Sequence, residues 1–294
     1  MNSQRARSAS HQRCAFPEVE QILTRKNSLV LQYRIFRELN TVITVMARDI
    51  TLLFKSPSTL IMSFAMPIVM MGMIGGNLAQ NMAKGLNFRF GPFMLVGMLV
   101  NMMFMMTSMN MTSFVDDHQT DFMQEMLVSP VSRYSLVIGK IFGSMFGAIL
   151  SLAGTLIVGF AMGITLHPGQ LLLILALSPL MCLSGGALAM ILIGIIRNKT
   201  AANMAVSLIT LPQMFLSGAI IPINNTSGVL FVVSRLLPMT YCLDLTRAVL
   251  YAGTSEYDNV VMFNPLVNFA AIVVLTIVCL VIGTFFFARS EKNR

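Results

Sequence analysis

The side chains with the clearest capacity for chemistry are methionines that cluster in one apolar stretch. Of the 26 methionines in the chain, seven lie within residues 98–111. Met102, Met106 and Met109 would share one face of a helix. Thioethers bind Cu(I), but methionine also fills apolar cores and lines surfaces that accept varied hydrophobic ligands. Three interpretations stay open for this triplet: a copper site, plain packing, or an adaptable surface that lines a substrate path.

Other reactive side chains are few and scattered along the sequence. The histidines and cysteines have neither the spacing of a zinc site nor an arrangement of catalytic groups. They are His11, His118, His167, Cys14, Cys182, Cys242 and Cys279. The sequence also lacks a Gly-x4-Gly-Lys-Ser/Thr loop, which would cradle nucleotide phosphates. We therefore expect no catalytic residue, metal or cofactor in this chain and no enzymatic activity of its own.

The elements that carry these side chains are too apolar for a soluble protein. Of 294 residues, 55% are hydrophobic and 11% are charged, and the mean hydropathy is +0.75. A helix needs about 20 apolar residues to cross a bilayer, and the sequence offers six such stretches. They cover residues 58–80, 92–114, 136–164, 170–196, 201–223 and 265–288. The sequence predicts an all-α fold, a polytopic membrane protein with six transmembrane helices.

The basic residues are distributed unevenly between the two sides of such a membrane protein. Sixteen of the 20 lysines and arginines fall on the side of the two termini, and four fall on the other side. By the positive-inside rule both termini are expected in the cytoplasm. No acidic residue lies within the six stretches. Because ion-coupled transporters generally need ionisable groups at membrane depth, that class is disfavoured.

Two segments outside the spans have recognisable patterns. Residues 1–30 are polar and basic, and are predicted to be a disordered cytoplasmic tail. Residues 31–56 repeat apolar positions at helical steps, which predicts an amphipathic interfacial helix or an ordinary cytosolic helix packed on the inner loops. The transmembrane domain would then occupy residues 57–290.

Between the last two spans the sequence predicts a short re-entrant helix pair. Residues 224–264 contain an apolar run that is too short to span a membrane and is interrupted by Pro238. The pair would be buried against the bundle so that its backbone groups are satisfied. In its second helix Asp244 and Arg247 stand three residues apart and could form an ion pair.

Glycines repeat at every fourth position in the third span, at Gly139, Gly143 and Gly147. Small residues at this spacing let two helices approach closely in lipid. The partner helix could belong to the same chain or to a second copy of it, and the sequence leaves both alternatives open.

The connection after the second span carries the most specific motif. Glu125-Met126-Leu127-Val128-Ser129-Pro130 is followed by Arg133 and then by Gly139-Lys140. This order resembles the coupling-helix region of ABC type 2 (ABC-2) exporter permeases. The resemblance implies that residues 116–133, with a solvated loop as the alternative, contact a soluble ATPase. The residues implied in this ATPase coupling are Asp121, Phe122, Glu125, Met126, Leu127, Ser129, Pro130 and Arg133.

Three further segments resemble the same family in the same order. The first, with Arg48, Asp49, Lys55 and Pro57, is similar to the interfacial helix of the family where it enters the first span. The second is similar to the end of its fifth span. The third, Leu237-Pro238-Met239-Thr240-Tyr241 with Asp244 and Arg247, is similar to its outer helix.

The second of these segments is either an outer gate or a simple span terminus. Ser217-Gly218 would permit a bend, and Pro222 would break the helix. The candidate gate residues are Phe215, Ser217, Gly218 and Pro222.

The resemblance implies a function in transport. The chain would be the membrane subunit of an ATP-driven exporter, in the plasma membrane and among its lipids, with no nucleic acid as a partner. Two such chains, identical or different, would pair with ATP-binding cassette subunits that bind ATP and Mg²⁺. Long apolar spans without charge at membrane depth favour amphipathic or lipid-like cargo. The outer segment Pro238-Met239-Thr240-Tyr241 resembles that of drug or antibiotic exporters more than that of polysaccharide exporters. The alternatives are a lipid-linked glycan or lipid exporter, and a membrane scaffold or signalling protein that transports nothing.

Overall fold

The chain is helical throughout the part that a computed structural model describes. That part comprises residues 16–75, 88–117, 132–196, 198–221, 223 and 228–292, and all its regular elements are helices. The helices are α1 (Phe16–Lys55), α2 (Pro57–Met70), α3 (Phe90–Met111), α4 (Ser113–Asp117), α5 (Arg133–Ala161), α6 (Pro168–Ile193), α7 (Lys199–Leu216), α8 (Val229–Leu236), α9 (Pro238–Leu250), α10 (Tyr257–Val260) and α11 (Pro265–Lys292). A π-helical turn, Met71–Gly75, continues α2. The predicted all-α class is confirmed for these residues.

Several helices are long and apolar enough to cross a membrane, as the composition predicts. Within the described ranges there are four, and a fifth is obtained when the bent pair formed by Phe36–Lys55 and Pro57–Met73 is counted as one span. The four are Phe90–Val115, Tyr134–Ala161, Pro168–Ile193 and Tyr257–Phe287. The predicted number of six spans is therefore not confirmed.

The predicted fifth span differs most from the expectation. It corresponds to α7, which has 18 residues and includes Lys199, Asn203, Pro212 and Gln213. Charged and amide side chains are costly in the hydrocarbon region, and they lower the hydropathy of this helix. Gln213 is 1% exposed, whereas Leu208 is 75% exposed. Helix α7 thus turns polar groups towards the interior and apolar groups outward.

The centre of the bundle is α3, which packs against α5, α6, α7 and α9. Val100, Met102 and Met103 on this helix have no exposed surface. By contrast, α11 packs chiefly on α6 and α9 and leaves Val274 and Ile277 more than half exposed. An apolar interior combined with an apolar exterior suits a protein whose solvent is lipid.

The two ends of the bundle are defined by contacts between distant segments. At one end the hydroxyl of Thr112 donates to the side-chain oxygen of Asn203, near the beginning of α5. We call this the Lys140 end. At the other end Tyr251 Oη donates to the carbonyl of Arg89 at 3.0 Å, and Gln170 Nε2 donates to the carbonyl of Leu250 at 2.8 Å. We call this the Arg247 end.

Helix α1 is longer than the predicted interfacial helix. It begins at Phe16 rather than at residue 31, so residues 16–30, which were expected to be disordered, form its first turns. From Glu18 to Lys55 the sequence contains no glycine or proline, and these are the residues that most strongly oppose a helix. Ser56 precedes a proline and leaves the helical region. The chain therefore turns there, and the two helices meet at 82°.

The repeating glycines of α5 pack against other helices of the same chain. A Cβ atom on Gly139 would lie 3.1 Å from the backbone of Val42, and one on Gly143 would lie 2.7 Å from Cβ of Asp49. One on Gly147 would lie 2.6 Å from Nδ2 of Asn110 on α3. The structure therefore assigns this glycine face to packing within the chain, mainly with α1.

The short helices α8 and α9 occupy the place of the predicted helix pair, but the ion pair expected in α9 does not form. The carboxylate of Asp244 instead accepts hydrogen bonds of 2.8 Å from the backbone amides of Met262 and Phe263 and from Nδ2 of Asn268. Arg247 instead donates a hydrogen bond to the backbone carbonyl of Gly218. Spacing alone predicted the pair, whereas amides that lie distant in the sequence reach the buried carboxylate with better geometry.

Candidate functional site

The predicted ATPase-coupling residues lie mostly outside the described part of the chain. Those outside it are Asp121, Phe122, Glu125, Met126, Leu127, Ser129 and Pro130. Arg133 is the first residue of α5. The coupling role of this segment therefore stays a prediction, and the structure informs it through the helix that follows the segment.

The beginning of α5 is held by an acidic side chain of α1. The backbone amide of Ser132 donates to both carboxylate oxygens of Glu38, at 3.2 and 3.1 Å. Ser132 is the residue that caps α5. The first amides of a helix lack partners within it and carry a partial positive charge. A carboxylate at this position therefore both accepts a hydrogen bond and stabilises the helix dipole.

A buried ion pair joins the same two helices about two turns further along α5. Nζ of Lys140 lies 3.0 Å from Oδ1 of Asp49, and the two side chains are 2% and 10% exposed. Arg48 contributes a more distant contact, with Nη1 3.7 Å from the same oxygen. A buried ammonium group is costly without a paired anion. Gly143 leaves the space that lets the Asp49 side chain reach this position.

A cavity of about 620 Å³ opens beside this ion pair at the Lys140 end. It lies between α1, α2, α3, α5 and α7, and its lining mixes charged, amide and apolar groups. Asp49, Asn110, Lys199 and Asn203 contribute polar atoms, and Leu53 contributes an apolar surface. Such a lining suits a ligand that has both a polar and an apolar part.

The three candidate methionines of α3 do not share one open surface. Met102 has no exposed area and lies in the core. Met106 is half-buried and packs against the main core cluster, whereas Met109 lines the cavity at the Lys140 end. Of the triplet, Met109 is therefore the residue in a position to contact a ligand in this cavity.

A second buried cation marks the opposite end of the bundle. Arg247 is 1% exposed, its Nη2 donates to the carbonyl of Gly218 at 2.6 Å, and its guanidinium carbon lies 3.8 Å from the centre of the Phe93 ring. Burial lowers the pKa of Arg247 to about 10, and the charge of Asp244 opposes that effect. The side chain therefore stays charged at neutral pH, held by a carbonyl and an aromatic face.

Three of the four candidate gate residues, Phe215, Ser217 and Gly218, lie within four residues of one another in the chain, and Arg247 binds the carbonyl of the last of them. Gly218 has a φ of +83°, a conformation that favours glycine, and it turns the chain after α7. Phe215 is 52% exposed and Ser217 is fully buried. Pro222 lies outside the described residues. The segment is therefore a sharp break that Arg247 holds in place.

Polar groups without hydrogen-bond partners lie just before this break. Both amide atoms of Gln213 and the hydroxyl of Ser217 are buried and have no partner among the described residues. Buried polar atoms are nearly always hydrogen-bonded in folded proteins. A hydrogen-bond partner for these atoms would have to come from outside the described residues.

Sequence reasoning did not single out Glu38 or Gln213. Glu38 contacts Ser132, which lies 94 positions further along the chain, and no local sequence pattern predicts such a contact. Gln213 carried a usable signal, because an amide within an otherwise apolar span is costly and therefore informative. Lys55 and Pro57, two of the residues predicted for the interfacial helix, mark the junction between α1 and α2.

Comparison with known proteins now places the chain in a class. A family model described as ABC-2 type transporter matches residues 40–251. Because this match covers well over half of the sequence, the chain belongs to the ABC-2 type transporter family. The helices that are long and apolar enough to cross a membrane agree with membership of this transporter family.

The curated relatives are more distant than the family match. They include the proteins named "Probable multidrug ABC transporter permease YbhS" from Escherichia coli (strain K12) and from Escherichia coli O157:H7. Each is 27% identical over 133 residues, which is 45% of this chain and 35% of the relative. The match therefore spans about a third of the length of these relatives.

Proposed function

We propose that this chain is the permease of an exporter for amphipathic compounds of the drug class, driven by ATP that a separate subunit hydrolyses. The observation that carries the proposal is the family match over residues 40–251. The name of the distant relatives favours multidrug cargo. The mixed lining of the cavity at the Lys140 end is consistent with such cargo.

In this proposal the Lys140 end faces the cytoplasm. The excess of basic residues on that side agrees with this orientation. Helix α1 would lie along the inner membrane surface, and the 82° bend at Ser56 would let α2 enter the bilayer. Helix α7 would be counted as a span despite its polar residues, because its polar side faces the bundle, which gives the proposed total of six.

The ATP-binding subunit, which acts as the motor, would bind residues 116–133, and its movement would be transmitted to α5. Since Glu38 binds the amide of Ser132 and Asp49 pairs with Lys140, α1 would move together with the beginning of α5. The cavity beside the ion pair would then change shape when the motor moves. Coupling would thus depend on the contacts of α1 as well as on the segment that touches the motor.

Cargo would enter the cavity at the Lys140 end and leave past α7. The buried amide of Gln213 and the hydroxyl of Ser217 would provide polar contacts along the way. At the far end, the hydrogen bond from Arg247 to Gly218 would hold the exit closed until α9 moves. The observations that support this route are the burial of Gln213 and Ser217 and the hydrogen bond from Arg247 to Gly218.

The test is ATP hydrolysis by the chain reconstituted in liposomes with its ATP-binding subunit. We expect amphipathic drugs to stimulate hydrolysis, and the chain without its partner to hydrolyse no ATP. Stimulation by lipids or lipid-linked glycans, with none by drugs, would support the alternative export function instead. A stable complex whose hydrolysis no compound alters and that moves no cargo would support a scaffold role.

A further inference from the structure

A small cavity at the Arg247 end carries two opposite charges that do not neutralise each other. Its volume is about 200 Å³, enough for roughly six or seven water molecules. Arg235 of α8 and Asp258 of α10 both line it. Within the described residues no ion pair links these two side chains, and both residues are exposed. The cavity therefore offers a cation and an anion to the same ligand.

The cationic side of the cavity is rigidly supported. The guanidinium carbon of Arg235 lies 3.9 Å from the centre of the Phe231 ring and 4.8 Å from that of Phe263. Tyr241 Oη donates to the backbone carbonyl of Arg235 at 2.9 Å, and the Phe263 amide donates to Asp244. An arginine stacked on rings keeps its N–H groups free in its own plane, where they can bind a phosphate through two parallel hydrogen bonds.

An unpartnered apolar face lies next to the cavity. On α8, Val229, Val232 and Leu236 are 80%, 58% and 67% exposed. Their spacing places them on one side of the helix, and Leu236 directly follows Arg235. Hydrocarbon therefore fits beside the charged groups, as it does at the interfacial depth of a membrane, where amphipathic aromatic side chains are enriched.

We propose that this cavity binds the headgroup of a phospholipid of the phosphatidylethanolamine class. The phosphate contacts Arg235, the primary ammonium donates to Asp258, and the acyl chains lie along the apolar face of α8. A primary ammonium fits better than a quaternary one, because it can donate hydrogen bonds to a carboxylate. The rings that would attract a choline group are already covered by the guanidinium.

This lipid site is distinct from the cavity by which cargo is proposed to enter. The cavity is lined by residues from Ile223 onwards in the chain, whereas the cavity proposed for cargo lies at the Lys140 end. Because α8 leads directly into α9, a bound lipid would anchor the helix that carries Arg247. The proposal does not depend on which compounds the protein exports.

The test measures lipid retention by the purified full chain with native mass spectrometry. The probes are phosphatidylethanolamine and phosphatidylglycerol with identical acyl chains, supplied together. We expect the wild-type chain to prefer phosphatidylethanolamine. Arg235→Gln should retain about tenfold less of it, the scale of one charge-assisted hydrogen bond. Asp258→Asn should retain both lipids about equally, because only the partner of the ammonium is removed.

The matched control is Arg89→Gln, an arginine at the same end whose Nε lies 3.3 Å from Glu256 and whose side chain is 72% exposed. This variant should keep the lipid preference of the wild type. Equal loss in Arg89→Gln and Arg235→Gln would overturn the proposal. So would full competition by dissolved phosphoethanolamine, which would indicate a site for a soluble ligand. If Arg235→Gln does not fold, Asp258→Asn decides, since an unchanged preference would contradict the proposal.

Discussion

The two ends of the bundle each bury a cation, and they stabilise it in different ways. Lys140 is paired with the carboxylate of Asp49 on another helix. Arg247 is held by a neutral carbonyl and by the face of Phe93. An ion pair fixes two helices together at a defined register, whereas a carbonyl and a ring can be exchanged for similar partners when a helix moves. The comparison indicates that the Asp49–Lys140 pair is a rigid contact, which we call the joint. It indicates that the hydrogen bond from Arg247 to Gly218 is a contact that can be released, which we call the latch.

The largest effect is expected from removing one member of the ion pair. Asp49→Leu leaves the ammonium of Lys140 buried without its carboxylate, which should lower the free energy of unfolding by about 3–5 kcal/mol. The double variant Asp49→Leu with Lys140→Met removes both charges and should recover most of this loss. Thermal unfolding in detergent measures both effects. A single variant as stable as the wild type would contradict the rigid joint.

A smaller loss is expected at the latch. Arg247→Ala removes the hydrogen bond to Gly218, and we expect a loss of about 1.5–3 kcal/mol, typical of a hydrogen bond that involves a charged group. Arg247→Lys keeps the charge and should fall between this variant and the wild type. The measurement is the same unfolding assay, combined with cysteine accessibility at Phe215→Cys. Unchanged accessibility in Arg247→Ala would argue against a latch.

Packing at the joint can be tested with one methyl group. Gly143→Ala places a Cβ atom 2.7 Å from that of Asp49, and such overpacking should cost about 1–3 kcal/mol. The matched control is Gly169→Ala in α6, where nothing lies within 4 Å of the new atom. That variant should be neutral or slightly stabilised, because alanine favours helix over glycine. Equal unfolding temperatures for the two variants would show that α1 does not pack tightly on α5.

The smallest effect is expected from Glu38→Gln. The amide oxygen can still accept a hydrogen bond from Ser132, so chiefly the interaction of the charge with the helix terminus is lost. We expect a change of about 0.3–1 kcal/mol that shrinks further as salt is added. Unfolding at low and high ionic strength provides the measurement. A loss that does not vary with salt would show that Glu38 acts by packing rather than by charge.

The sequence predicted the long helices well because their signals are local. Apolar stretches placed α6 and α11 within a few residues of their bounds, Pro168–Ile193 and Pro265–Lys292. The structure begins α1 at Phe16 rather than at residue 31, because residues 16–30, although polar, contain good helix formers. Local signals therefore established which elements exist more securely than where a polar element begins.

The contacts at both ends could not be predicted in the same way. Asp244 and Arg247 have suitable spacing for a pair, yet each has a partner that is distant in the sequence. The contact between Glu38 and Ser132 likewise depends on how α1 lies across α5. Such contacts depend on how the helices are arranged in the tertiary structure. The spacing of residues within one helix carries no information about that arrangement.

The central claim is that a separate motor drives this permease through residues 116–133. The most direct measurement is drug transport per ATP hydrolysed by the reconstituted complex, for the wild type, Glu125→Arg and the neighbouring control Gln124→Arg. The account predicts that Glu125→Arg loses transport while Gln124→Arg keeps most of it. Transport by Glu125→Arg at the wild-type ratio, or transport by the chain without an ATP-binding subunit, would contradict the account.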